Sequence, residues 1–209
     1  MTTPAPSAST TAAHEAGHAA ATLLSIHVGL PLRSISTVTI IRDGNALGLT
    51  TPEPLGWKPE LDIGDLESRA PAETLIVMGF AGPMAEARHV GTTATLWGVR
   101  NGTHDGAFID YMVRKLTHGR AERNSYVGYL WQRTISLTRV PAFWPSVDAL
   151  AAELEISGKM SGTVALAIVR EVERSLDRDD WLRHGNRLSR WRDGGIPPAP
   201  TPAHADIPL

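Results

Sequence analysis

Thr10-Thr11-Ala12-Ala13-His14-Glu15-Ala16-Gly17-His18-Ala19-Ala20-Ala21 carries a complete H-E-x-x-H within a run of small, helix-compatible residues. The pattern predicts a first helix that begins near Thr10–Ala12 and ends at about Ile26. On such a helix His14 and His18 stand one turn apart on one face, so both imidazoles can reach a single cation. Glu15 lies about 100° round the same turn. There it is poorly placed as a ligand but well placed to take a proton from a metal-bound water. Gly17 costs roughly 1 kcal/mol of helix propensity relative to alanine. With Ala16, Ala19, Ala20 and Ala21 it makes a slim helix that neighbours can approach closely. The bland alternative is a helix that happens to carry two surface histidines.

Beyond this helix the period changes. Ile35–Ile41 is β-branched and partly alternating, Asp43-Gly44 is a turn signal, and Ala46–Thr50 can return as a second strand. Thr51–Asp65, with Pro52, Pro54, Gly56, Pro59 and Gly64, reads as a loop. From Leu66 the pattern is helical, with Leu75, Met78, Gly82, Glu86 and His89 on one stripe and an end near Val90-Gly91. Gly91–Thr103 reads as a second loop. Asp105–Leu116 has an apolar stripe, and further helices are expected at about 121–138, 141–155, 161–175 and 179–192. The fold class is therefore mainly α with a small β-sheet or hairpin (α+β). The expected division is a flexible lead at 1–11, one domain at 12–193 and a disordered Pro-rich tail at 194–209. Within the domain, 12–118 bears the motifs and 119–193 is helical.

Composition narrows the chemistry. With 20 basic and 22 acidic residues the net charge is −2, so no electrostatic footprint for nucleic acid or an anionic membrane is visible. The absence of cysteine excludes disulfides, thiolate nucleophiles and Cys-ligated zinc. The apolar stretches Ala19–Leu30 and Thr74–Gly82 are too short to span a bilayer. Met1–Thr11 lacks the basic and apolar regions of a secretory signal, so a soluble cytoplasmic protein is expected.

A catalytic zinc takes three protein ligands and keeps one position open. An H-E-x-x-H-x-x-G-x-x-H site would need glycine where Ala21 stands and histidine where Leu24 stands, which excludes that class. The remaining candidates are Glu86, His89, His104, Asp105 and Asp110. Positions 105, 109, 112 and 116 share one stripe, which aims Asp105 at the apolar interior, where a carboxylate needs a strong partner such as a cation. The competing role for Asp105 is simple N-capping of its helix.

His14-Glu15-Ala16-Gly17-His18-Ala19 resembles the active-site helix of the FtsH-type M41 metallopeptidases. Arg42-Asp43-Gly44-Asn45-Ala46-Leu47-Gly48-Leu49-Thr50 resembles that family's R-G-x-A-L-G-x-T segment, and Ala81-Gly82-Pro83-Met84-Ala85-Glu86 its G-G-R-A-A-E helix. Gly102-Thr103-His104-Asp105, followed by Tyr111-Met112-Val113, is similar to its G-A-S-N-D stretch and the M-V beyond. These matches occur in the family's order over residues 12–118. The resemblance implies one Zn²⁺ per chain held by His14, His18 and Asp105, with Glu15 activating a zinc-bound water for peptide-bond hydrolysis. No G-x-x-x-x-G-K-[ST] occurs in the chain, so a stand-alone, ATP-independent endopeptidase acting on peptides or unfolded segments is expected. Pro83 replaces the arginine of G-G-R-A-A-E, and the C-terminal third resembles the family only faintly.

Three further expectations complete the sequence reading. Glu86 either hydrogen-bonds the far nitrogen of a zinc-bound imidazole or pairs with Arg88 or Arg42. The segment with Gly44, Ala46, Leu47 and Gly48 offers a strand edge to an extended substrate. A homo-oligomer or a separate partner that delivers substrate is compatible with the chain. Two rival readings are a non-catalytic regulatory or adaptor protein on an M41-like fold and a carboxylate-bridged di-iron protein. The latter would use Glu15-x-x-His18 and Glu86-x-x-His89, with Glu67 and Glu73 as its nearest further glutamates.

Overall fold

A computed structural model of the protein describes residues 6–31, 34–42, 47–52, 66–177 and 179–181. The first helix, α1, spans Ala8–Leu24 and so starts earlier than the alanine run suggested. Ser7 is the reason: its backbone is extended and its hydroxyl accepts from the Thr10 amide at 3.2 Å, which satisfies one of the orphan N–H groups of the first turn. A short 3₁₀ turn, Ser25–Val28, follows, and Gly29 at φ 71° closes it.

Three strands form one antiparallel sheet in the order β2-β1-β3, where β1 is Ile35–Thr39, β2 Leu49–Pro52 and β3 Lys159–Ser161. The two expected strands do pair, but β1 stops at Thr39, and β2 begins only at Leu49 and runs on through Thr51 and Pro52, which read in sequence as the start of the loop. Gly44 and Ala46, with the turn at Asp43-Gly44, lie outside the described residues. β3 lies in the gap left between the helices expected at about 141–155 and 161–175. Gly158, at φ 71°, turns the chain back so that residues 159–161 pair with 37–39.

The remaining helices are α2 (Leu66–His89), α3 (Leu96–Gly102), α4 (His104–Leu116), α5 (Arg120–Thr138), α6 (Phe143–Ser157) and α7 (Gly162–Ser175). Among the described residues the protein is mainly helical with one small sheet, an α+β arrangement. α3 corrects the loop expected at 91–103. Thr95 caps it by accepting from the Gly98 amide at 3.1 Å, and Val99 anchors it in the core. Of the helix expected at 179–192 only the start at 179–181 is described, and the 194–209 tail lies outside the described residues. No helix among the described residues is long and apolar enough to cross a membrane.

α1 is the centre of the molecule. It packs on α2, α6 and the sheet, and nearly all its residues from Thr11 to Leu24 are buried. Its alanines and Gly17 let α2 approach so closely that a Cβ on Gly17 would lie 2.6 Å from both the Ala81 carbonyl oxygen and the Ala85 Cβ. Two opposing effects decide the outcome of Gly17→Ala. Alanine gains about 1 kcal/mol of helix propensity, whereas overpacking against a helix backbone costs about 1–3 kcal/mol. A net loss of about 1–2 kcal/mol is expected in urea unfolding, and a net gain would contradict this packing.

Candidate metal centre

α1 and α4 both pack on α2, which brings three donor groups from the two helices together. His14 and His18 project from α1, and their Nε2 atoms stand 3.0 Å apart. Asp105, in the first turn of α4, sets Oδ2 3.1 Å from His14 Nε2 and Oδ1 3.4 Å from His18 Nε2. The side chains are 19%, 8% and 22% exposed respectively, so the cluster is largely withdrawn from water. Capping does not account for Asp105. Thr103 is the N-cap of α4, accepting from the Gly106 amide at 2.9 Å, which leaves the Asp105 carboxylate free to turn towards the histidines. Ile109, Met112 and Leu116 continue the same stripe into the core.

The far side of each imidazole is also engaged. His18 Nδ1 lies 2.8 Å from the Met78 carbonyl oxygen, which can only accept, so this nitrogen carries the hydrogen. His14 Nδ1 lies 2.8 Å from Glu86 Oε2 and donates in the same way. Both Nε2 lone pairs therefore face each other and the Asp105 carboxylate. Three electron-pair donors brought this close need a positive species among them.

In the metal-free protein a proton fills that need. Burial alone would lower the His14 pKa, but the bonds to Asp105 and Glu86 outweigh it and raise the value from 6.5 to about 10. Burial would raise Asp105, yet its bonds to His14 and His18 hold its carboxyl well below the usual carboxylate range. The stabilisation from His14 is full below pH 6.5 and disappears as pH rises towards 10, whereas that from Asp105 is present above its ordinary 3.8 and is lost in acid. Between about pH 4 and 6.5 both contributions to the metal-free protein are present together.

A metal cation fits the same place, and the His14–His18–Asp105 group can hold one. Ligands about 2.0–2.2 Å from a tetrahedral zinc stand roughly 3.3–3.6 Å from one another. The donor separations of 3.0, 3.1 and 3.4 Å are within a small outward adjustment of that range. Since metal and proton compete for the His14 lone pair, zinc uptake at pH 7.5 should release at least about one proton per chain. Calorimetric titration in buffers of different ionisation enthalpy measures this; release of none would contradict the His14 assignment.

The other sequence candidates sit elsewhere. Asp110 is held by Arg100, at 2.8 Å from Nη2 and 3.0 Å from Nε, and His104 is exposed. His89 is exposed with Nε2 3.3 Å from the Ser9 hydroxyl. Glu86, 40% exposed, bonds His14 rather than Arg88, whose guanidinium pairs with Asp148 at 2.7 Å. The two Glu-x-x-His pairs do not converge: Glu15 turns towards β2, His89 faces outward, and Glu73 Oε1 accepts from the Tyr126 hydroxyl at 2.5 Å.

Glu15 is buried beside the donor cluster without belonging to it. Its Oε2 accepts from Thr50 Oγ1 of β2 at 2.8 Å. Leu47 and Gly48 lead into β2, which is an edge strand of the sheet among the described residues. A Cβ on Gly48 would lie 2.8 Å from Glu15 Cγ and Oε1, so only glycine leaves the glutamate its room. Gly82 does the same for His18, whose ring would be 2.3 Å from an added Cβ. These supporting roles of Thr50, Gly82 and the Met78 carbonyl were not visible in sequence. Gly82 does carry a partial signal, since it shares a helical stripe with Glu86.

No protein-family model matches the chain, and no curated protein matches it either.

Proposed function

We propose that the protein is a zinc-dependent, ATP-independent endopeptidase of the M41 type it resembles, cleaving peptides or unfolded segments. The observation that carries the reading is the convergence of His14, His18 and Asp105, with Glu15 alongside but outside the set. Two imidazoles and one carboxylate are the donor set of a catalytic rather than a structural zinc. When bound, the cation acidifies a water and polarises a scissile carbonyl.

The chain's own residues supply the rest. Met78 and Glu86 fix the imidazole orientations and keep both Nε2 lone pairs directed inward. Glu15 takes a proton from the attacking water and returns it to the leaving amine. The outer edge of β2 offers backbone groups to an extended peptide, which favours unfolded over folded substrates. No G-x-x-x-x-G-K-[ST] occurs among the 209 residues, and the proposed hydrolysis draws on no nucleotide.

The test is incubation of zinc-loaded protein with an unfolded peptide library, without ATP, and detection of new amino termini by mass spectrometry. New termini that vanish with a chelator support the reading. Stoichiometric zinc with no cleavage across the library would favour the adaptor role instead.

A further inference from the structure

We propose that Thr50 is the positioning residue of Glu15, its hydroxyl fixing which carboxylate oxygen is presented for proton transfer. This rests on the reading of Glu15 as the base. Thr50 is buried in β2, where its backbone pairs with the fully buried Val38 of β1. Its hydroxyl oxygen lies 2.8 Å from Glu15 Oε2 and 3.1 Å from the Glu15 carbonyl oxygen. One hydroxyl has one hydrogen, and a carboxylate is the stronger acceptor at the shorter distance, so the bond goes to Oε2.

The two oxygens of Glu15 thereby acquire different duties. The bond from Thr50 draws charge towards Oε2 and makes that oxygen the poorer base, so Oε1 receives the proton. Gly48 completes the device. It precedes Thr50 by two residues, and its missing Cβ leaves the space taken by Glu15 Cγ and Oε1. A glutamate side chain has three rotatable torsions, and proton transfer needs its oxygen within about 2.6–3.2 Å of the proton donor. With the hydroxyl gone, Oε2 would be buried without this partner and the side chain would be released to seek another.

The variants Thr50→Val, which keeps the shape, and Thr50→Ser, which keeps the hydroxyl, separate positioning from packing. On zinc-loaded full-length protein with a fluorogenic peptide, Thr50→Val should lower kcat by about 10- to 100-fold with KM and zinc stoichiometry unchanged. Thr50→Ser should recover most of the loss. Independently of activity, the Thr50 hydroxyl proton of the metal-free protein should exchange slowly and give an NMR cross-peak to the Glu15 side chain, lost in Glu15→Ala.

Wild-type kcat in Thr50→Val, or a Thr50→Ser no better than Thr50→Val, would overturn the proposal. So would a hydroxyl proton in fast exchange with water, a readout that stands even if Thr50→Val fails to fold. An inactive Glu15→Gln beside a fully active Thr50→Val defeats this inference alone. A Glu15→Gln as active as wild type defeats the reading of Glu15 on which it rests.

Discussion

Asp105→Ala is expected to lower zinc affinity by more than about 100-fold, because loss even of a residue that only orients a ligand costs 10–100-fold and the proposed site makes Asp105 a direct donor. Its two oxygens face both Nε2 atoms at 3.1 and 3.4 Å, and no other carboxylate among the described residues joins that set. Competition with a chromogenic chelator measures the change. Asp110→Ala and His104→Ala serve as controls and should bind zinc like wild type, since Asp110 is occupied by Arg100 and His104 is exposed. If Glu86→Ala abolishes binding and Asp105→Ala does not, Glu86 is the third ligand and the arrangement at α4 has been misread.

Glu15→Gln should reduce hydrolysis of an unfolded peptide by about 10²- to 10⁴-fold while zinc content and thermal unfolding stay near wild type. Glutamine keeps the length of the side chain and an oxygen that can accept from Thr50 at the same place, but it cannot hold a proton. The prediction therefore isolates proton transfer from metal binding and from packing. Activity reduced only in proportion to lost zinc would make Glu15 a structural residue.

Much of this site is legible from sequence because two helical periods carry it. The four-residue step from His14 to His18 fixes their common face, and the stripe Asp105, Ile109, Met112, Leu116 aims the carboxylate inward. What the stripe left open was capping, because Thr103 and Asp105 are both good N-cap residues. Only the Thr103 hydroxyl on the Gly106 amide resolves it.

The rest was hidden for physical reasons. α3 reads as a loop because its seven residues include Gly98 and Gly102 and are too few to display a period. β3 has three residues and exists only through its pairing with β1. The start of α1 depended on a capping serine that precedes any apolar pattern. Contacts such as Thr50 with Glu15, 35 residues apart, depend on how the sheet docks on α1, and no local period encodes that.

Zinc dependence is decided by stripping the purified protein of metal and then adding back one equivalent of zinc while following cleavage of a single unfolded peptide. Cleavage should stop on stripping, return in full with one zinc per chain, and not return in His18→Ala. Cleavage that persists in the stripped protein, or that returns equally in His18→Ala, would contradict that dependence.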